Sequence, residues 1–152
     1  MDAVIAAPFG AFGISTDGNS LTALVFLPPG TPAEPPRTPL AARAAGQIEA
    51  WLQDPATPFD LPLAPQGTPF QQKVWAAISA IPRGQVLTYG AMARSLGSAA
   101  RAVGQACGAN PYPLVVPCHR VVSAAGIGGF ANARDGHLIA TKKWLLALEQ
   151  AR

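Results

Sequence analysis

The chain has 152 residues, 49% of them hydrophobic and 12% charged, with 16 prolines, 15 glycines and a net charge of +3. That composition excludes a disordered, collagen-like or coiled-coil protein, and no stretch reaches the ~20 consecutive apolar residues that a membrane-spanning helix needs. The two cysteines, Cys107 and Cys118, suit neither a paired-cysteine metal site nor a disulfide framework. With no basic-then-apolar leader after Met1-Asp2, a reducing, cytoplasmic setting is expected.

Charge is unevenly spread. Residues 1–65 carry six acids against Arg37 and Arg43, a balance of −4, whereas residues 66–152 carry nine bases against Asp135 and Glu149, a balance of +7. A basic second half suits a polyanionic partner, although charge alone does not decide it.

In chain order, Ala3-Val4-Ile5-Ala6, Phe12-Gly13-Ile14 and Leu21 to Leu27 read as strands, with a turn at Asp17-Gly18-Asn19. A proline-rich surface loop follows over residues 28–39. Leu40 to Gln53 is Ala-rich, and Leu40, Ala44, Ile48 and Trp51 recur at helical spacing. Pro55, Pro58, Pro62 and Pro65 then mark a connection. This gives a small α/β module over 1–65 and a second, mostly helical domain over 66–152.

The second domain opens with Thr68 as helix cap and Pro69 at the first helical position. Phe70, Val74, Ile78 and Ile81 make that helix's apolar face, and Pro82-Arg83-Gly84 ends it. After a short extended piece at Val86-Leu87-Thr88, two short helices are expected: Thr88 to Leu96, stopped by Gly97, and Ala99 to about Cys107, capped by Ser98. Two short helices around a glycine turn are the helix-turn-helix pattern, whose second helix is presented to DNA. Here that helix is built from Ala99, Ala100, Ala102, Gly104 and Ala106, with only Arg101 and Gln105 long and polar. Such a surface approaches a nucleic-acid backbone closely but reads no base sequence. An ordinary helical hairpin in a core is the competing reading.

Asn110 to Val122 holds the most unusual chemistry. An apolar run, Leu114 to Val116, leads through Pro117 into Cys118, His119 and Arg120, and Val121-Val122 closes it. The run reads as a buried strand or extended segment, where polar groups need partners. Cys118 is either a small buried hydrophobe or a thiol activated by the cations beside it. Consecutive side chains of a strand face opposite sides, so either the chain turns at Cys118 or His119 acts through a water. Further on, Gly126 to Phe130 forms a glycine-rich loop that lets backbone and one aromatic line a pocket. His137 to Ala151 is the last helix, with Lys142 and Lys143 expected in solvent. Glu149 is a surface acid unless a histidine pairs with it.

Pro117-Cys118-His119-Arg120-Val121 resembles the active-site motif of the O6-alkylguanine-DNA alkyltransferases, the methylated-DNA–protein-cysteine methyltransferases. Gly67 to Trp75, Thr88-Tyr89, Ala100 to Gly104, Asn110-Pro111 and Trp144 to Glu149 fall in the same family's order, so the resemblance spans residues 66–150. It implies an α/β protein: a small α/β module followed by a winged-helix-like domain. It also implies stoichiometric, irreversible transfer of an alkyl group from O6-alkylguanine, and possibly O4-alkylthymine, in double-stranded DNA. Cys118 would be the acceptor, within a hydrogen-bonded network of Cys118, His119, water and Glu149. Asn110 would hold the turn before the cysteine. Tyr89 would help swing out the nucleotide and donate a proton to the departing guanine. Arg101 would fill the vacated stack, and Thr88 and Gly104 would contact DNA. The backbone of Cys118 and Val121, with Phe130, would line the base pocket.

The family resemblance further implies no cofactor, and no metal is expected because neither Cys nor His precedes Cys107. A monomer with no membrane partner is expected. Departures from the pattern sit in the loop, where Phe130 is followed by Ala131-Asn132-Ala133 rather than two glycines, and at Gly108, where many relatives have arginine. Three other readings compete: a lesion binder without transfer, against which Cys118 argues; a helix-turn-helix regulator; and a thiol hydrolase.

Overall fold

The computed structural model describes residues 1–126, 128–129 and 136–150. The chain divides into two compact units, Met1–Pro65 and the part from Gln66 onward.

The first unit is a three-stranded antiparallel sheet, β1 (Ala3–Ala7), β2 (Gly10–Thr16) and β3 (Leu21–Leu27), in that spatial order. Pro8 falls in the β1–β2 turn, where its missing N–H costs no ladder bond. The Asp17 carboxylate accepts from the backbone N–H of Asn19 and Ser20 at 2.9 and 2.8 Å, which closes the β2–β3 hairpin. Register sets Phe12 opposite Phe26 and Ile14 opposite Leu24. All four are buried, and the Phe9 ring stands edge-on to both Phe12 and Phe26. Helix α1 (Pro39–Gln53) lies on β1 and β2. Its buried residues include Ala41, Ala44, Ile48 and Trp51, and Thr38 caps it by accepting from the Ala41 N–H at 3.1 Å. Part of the proline-rich connection also pairs: Leu21 bonds the backbone of Pro62 and Ala64 at 2.8 and 2.9 Å.

The second unit is helical around one short parallel pair. Helix α2 (Pro69–Ser79) starts in a reciprocal capping box between Thr68 and Gln71. It ends at Ser79, before the Pro82 stop signal, and leaves Ile81 buried just beyond it. Strand β4 (Leu87–Thr88) pairs in parallel with β5 (Val121–Val122). Helices α3 (Tyr89–Leu96) and α4 (Ala100–Gly108) pack on each other. Gly97 takes the left-handed conformation (φ 65°) that ends α3, a conformation open to glycine at little cost. The expected Ser98 cap is corrected: the Ser98 N–H closes α3 on the Ala93 carbonyl at 2.8 Å, so the cap position falls to Ala99, which has no side-chain cap bond. The Trp75 indole N–H donates to the Ala106 carbonyl at 2.8 Å and ties α2 to α4. Helix α5 (His137–Gln150) completes the described residues, and among them no helix is long and apolar enough to cross a membrane.

Candidate active site

The segment before Cys118 is not extended, contrary to its apolar pattern. Pro113 and Pro117 have no N–H to give a ladder, and Asn110 fastens the chain between them. Its side-chain oxygen accepts from the Tyr112 N–H at 2.9 Å, and its amide donates to the Val116 carbonyl at 2.9 Å and the Cys118 sulfur at 3.1 Å. The result is a turn with Leu114 at φ 74°, a conformation costing roughly 1–2 kcal/mol for a side-chain-bearing residue. Cys118–Arg120 then forms a single 3-10 turn, and only Val121–Val122 runs as strand. The chain therefore turns at the cysteine, one of the two possibilities that the strand geometry left open.

That turn sends three consecutive side chains into buried positions. His119 Nε2 meets Glu149 Oε1 at 2.7 Å. The Arg120 guanidinium forks onto the same carboxylate, with Nε at 3.2 and 3.1 Å from its two oxygens and a further bond from its terminal nitrogen to Oε2. Another terminal nitrogen donates to the Ile81 carbonyl at 2.7 Å. Glu149 is 3% exposed, so the histidine-paired alternative holds over the surface one: it anchors both His119 and Arg120, far along the chain from them. Burial alone pushes the Glu149 carboxyl up, but the donors and charges of His119 and Arg120 outweigh it and hold the group at about 2. Burial likewise pushes the His119 imidazole down against the pull of Glu149, leaving it a neutral ring at rest.

Cys118 is buried, and its S–H points at the Cys107 carbonyl, 3.6 Å away. The Cys107 sulfur and burial push its thiol well above the ordinary range, while the Asn110 amide and the Lys142 charge pull the other way. At rest Cys118 is thus a thiol that needs a base or a shifted environment to react.

Lys142 is the residue that sequence reasoning misplaced. It is fully buried, not solvated. Its ammonium donates to the Val121 carbonyl at 2.7 Å and the Gly129 carbonyl at 2.9 Å, and it lies 5.8 Å from the Tyr89 ring centroid. Burial lowers it to about 8, with the two cysteines opposing. The available signal was positional: Lys142 lies three residues before Leu145 and seven before Glu149, on the inward face of one helix. Arg120 was visible in the motif, but its fork onto Glu149 was not.

Tyr89 opens α3, and its hydroxyl donates to the Gly129 carbonyl at 3.2 Å. Burial first, then the two cysteines, raise it to about 12, so it keeps its proton at neutral pH. A side chain at Gly128 (φ 74°) would come within 3.0 Å of the Tyr89 ring, so this loop can approach Tyr89 only as glycine. Phe130 lies outside the described residues. Thr88 caps α3, its hydroxyl oxygen accepting from the Ala91 N–H at 3.0 Å. Arg101 is exposed in the first turn of α4, and open space lies where a side chain at Gly104 would sit. The structure therefore brings together Cys118, His119, Glu149, Tyr89, Asn110 and Val121 within the second unit, with Arg101 and Gly104 on α4. Among the described residues no group of three or more His, Cys, Asp or Glu side chains is placed to hold a metal ion.

Comparison with known proteins finds a family model and relatives that cover most of the chain. Residues 69–151 match the family model for the 6-O-methylguanine DNA methyltransferase DNA-binding domain. A methylated-DNA–protein-cysteine methyltransferase of Mycobacterium tuberculosis is 40% identical over 157 residues, covering 97% of this chain and 91% of the relative. The crystal structure of the Mycobacterium tuberculosis O6-methylguanine methyltransferase superposes with a TM-score of 0.81 at 36% identity, over 98% of this chain and 92% of that one. The Mycobacterium tuberculosis protein OGT in complex with DNA superposes with a TM-score of 0.79 at 37% identity, over 97% and 91%.

Proposed function

The chain belongs to the 6-O-methylguanine DNA methyltransferase family, and from that premise we propose that Cys118 accepts the alkyl group of O6-alkylguanine in duplex DNA, once and irreversibly. The protein is a methylated-DNA–protein-cysteine methyltransferase that repairs DNA by direct reversal. The observation that carries the residue assignment is the 3-10 turn. It carries Cys118 and His119 into the same buried turn, with His119 paired to a Glu149 that is ionised at neutral pH.

The alkyl group of such a lesion lies inside the base stack, so the nucleotide must be extruded, at a cost of a few kcal/mol. Helix α4 suits that task. Its small residues admit the backbone of any sequence, and Arg101, exposed in its first turn, would fill the gap. The Cys118 proton passes through a water to His119, and Glu149 stabilises the imidazolium that forms. The thiolate attacks the alkyl carbon, the carbon–oxygen bond breaks, and guanine departs as an anion that takes a proton from Tyr89. Tyr89 is raised to about 12 by burial, so it still carries that proton at neutral pH when the base departs. Lys142 fixes the Val121 carbonyl, whose second lone pair stays available to the base. The product is a thioether that water does not hydrolyse, and no group here regenerates the thiol.

All of these groups come from one chain, which fits a monomer, and two free thiols suit a reducing cytoplasm. The decisive experiment is intact-mass measurement after incubation with a duplex containing O6-methylguanine. A stoichiometric methyl gain is expected, absent in Cys118→Ala. A wild-type protein that binds the lesion tightly and gains nothing would instead be a lesion binder, and a gain carried by Cys107 would overturn the assignment.

A further inference from the structure

One buried nucleophilic group has no part in the chemistry above, the side chain of Cys107. We propose that Cys107 is the resolving thiol of Cys118: a peroxide-class oxidant joins the two as an intramolecular disulfide, which withdraws the acceptor from alkyl transfer and is reopened by a thiol reductant. The inference goes beyond alkyl transfer and does not depend on it.

The geometry is specific. Cys107 lies in the last turn of α4, and Cys118 opens the 3-10 turn. The Cys118 S–H reaches the Cys107 carbonyl at 3.6 Å, and each thiol is the largest influence on the other's acidity. Both are buried and free, and the chain has no other cysteine. Asn110 holds the intervening loop at three points, on Tyr112, Val116 and Cys118 itself, so the sulfurs are kept together rather than meeting by chance. With Cys118 Sγ already against the Cys107 backbone, bringing the two sulfurs to a bond of about 2.05 Å is a local movement.

The chemistry balances in two steps. A thiolate of the pair takes one oxygen from peroxide, giving a sulfenic acid and, after protonation, water. The second thiol attacks that sulfur, the sulfur–oxygen bond breaks, and a second water leaves as the disulfide forms. Without a resolving thiol the sulfenic acid proceeds to sulfinic acid, which thiol reductants do not reverse. For an acceptor consumed once, the pairing preserves unreacted protein through oxidative exposure.

The test is peroxide treatment of the full chain, followed by tryptic mass mapping and by methyl transfer before and after dithiothreitol. Trypsin cuts after Arg101 and Arg120 with no Lys or Arg between, so residues 102–120 carry both cysteines in one peptide. Wild type should yield that peptide lighter by two hydrogens and closed to iodoacetamide, with near-complete recovery of transfer on reduction. Cys107→Ser and Cys107→Ala should instead accumulate sulfinic acid at Cys118 and recover little, each measured against its own transfer before oxidation. Oxygen adducts in wild type without the two-hydrogen loss would overturn the proposal, as would equal recovery in the variants. The wild-type mass alone suffices if neither variant folds, and it reads the same whether or not Cys118 accepts an alkyl group.

Discussion

The Met1–Pro65 unit and the unit after it bury apolar surface in similar ways but differ in what they bury with it. Among the described residues every buried polar or charged side chain, His119, Arg120, Thr141, Lys142 and Glu149, belongs to the second unit. The first unit is held by phenylalanines, Trp51, aliphatic residues and alanines, whose contribution scales with area removed from water. The second holds an imidazole and a guanidinium around one carboxylate, and a lysine on two backbone carbonyls, an arrangement whose desolvation cost can match its electrostatic gain. The contrast teaches where stability and function are separable. A defect in the first unit should cost folding alone, and a defect in the second should cost chemistry as well.

The largest effect should come from breaking the carboxylate anchor. Glu149→Gln leaves Arg120 buried without its counter-charge, which should cost about 3–5 kcal/mol. Phe12→Ala in the first unit should cost a similar 3–5 kcal/mol by opening a cavity. Urea titration should therefore rank the two together, while methyl transfer per folded molecule should fall steeply only in Glu149→Gln. Acid sharpens the contrast. Glu149 has a folded-state pKa of about 2, below its ordinary 4.5, so its contribution is full above 4.5 and is lost as the pH falls towards 2. His119 is also depressed, below 6.5, so folded protein resists a proton that the unfolded chain accepts, and stability begins to fall once the pH drops below 6.5. Wild type should lose stability across both windows. Glu149→Gln should lose the lower one, and an unchanged acid profile in that variant would break the argument.

A smaller effect is expected at Lys142. Lys142→Met keeps the bulk but leaves the Val121 and Gly129 carbonyls without their donor, at a cost of about 1–3 kcal/mol. Transfer should slow beyond what that loss of folded protein explains, because the same two carbonyls border Tyr89 and the Cys118 turn. Wild-type transfer from the folded fraction of Lys142→Met would reduce the lysine to a packing residue.

How much of this was legible in sequence follows the same division. Period and turn chemistry located β3, α1 and α2 closely, because Asp17-Gly18-Asn19, the Leu40-to-Trp51 spacing and Thr68-Pro69 are local signals; the Thr38 cap of α1 went unread. The Leu114–Val116 run misled, since its conformation is set by Asn110 through side-chain bonds that hydrophobic pattern does not encode. Cys118 and His119 stood out because a thiol and an imidazole in an apolar run require an explanation. Glu149 was read as a partner only through the family resemblance. Lys142 was misread because the bare residue type argues for solvent, and its acceptors are backbone carbonyls, which every sequence contains.

The smallest predicted effect compares two equivalent caps. Thr38 and Thr68 each precede a proline and each accept from the N–H three residues on, at 3.1 Å in both cases. At Thr68 the Gln71 side chain also returns a bond to the cap N–H at 2.9 Å. Replacing either threonine by alanine should cost about 1 kcal/mol, with Thr68→Ala the larger because it breaks the reciprocal pair. Methyl transfer by the folded protein should be unchanged in both. Helix α2 touches the site's surroundings through Trp75, which lies beyond the first turn and is pinned by its own bond to the Ala106 carbonyl. Fraying the first turn therefore leaves that contact in place. Slower transfer in Thr68→Ala, with none in Thr38→Ala, would mean that α2 positions the residues around Cys118 through its first turn as well as through Trp75.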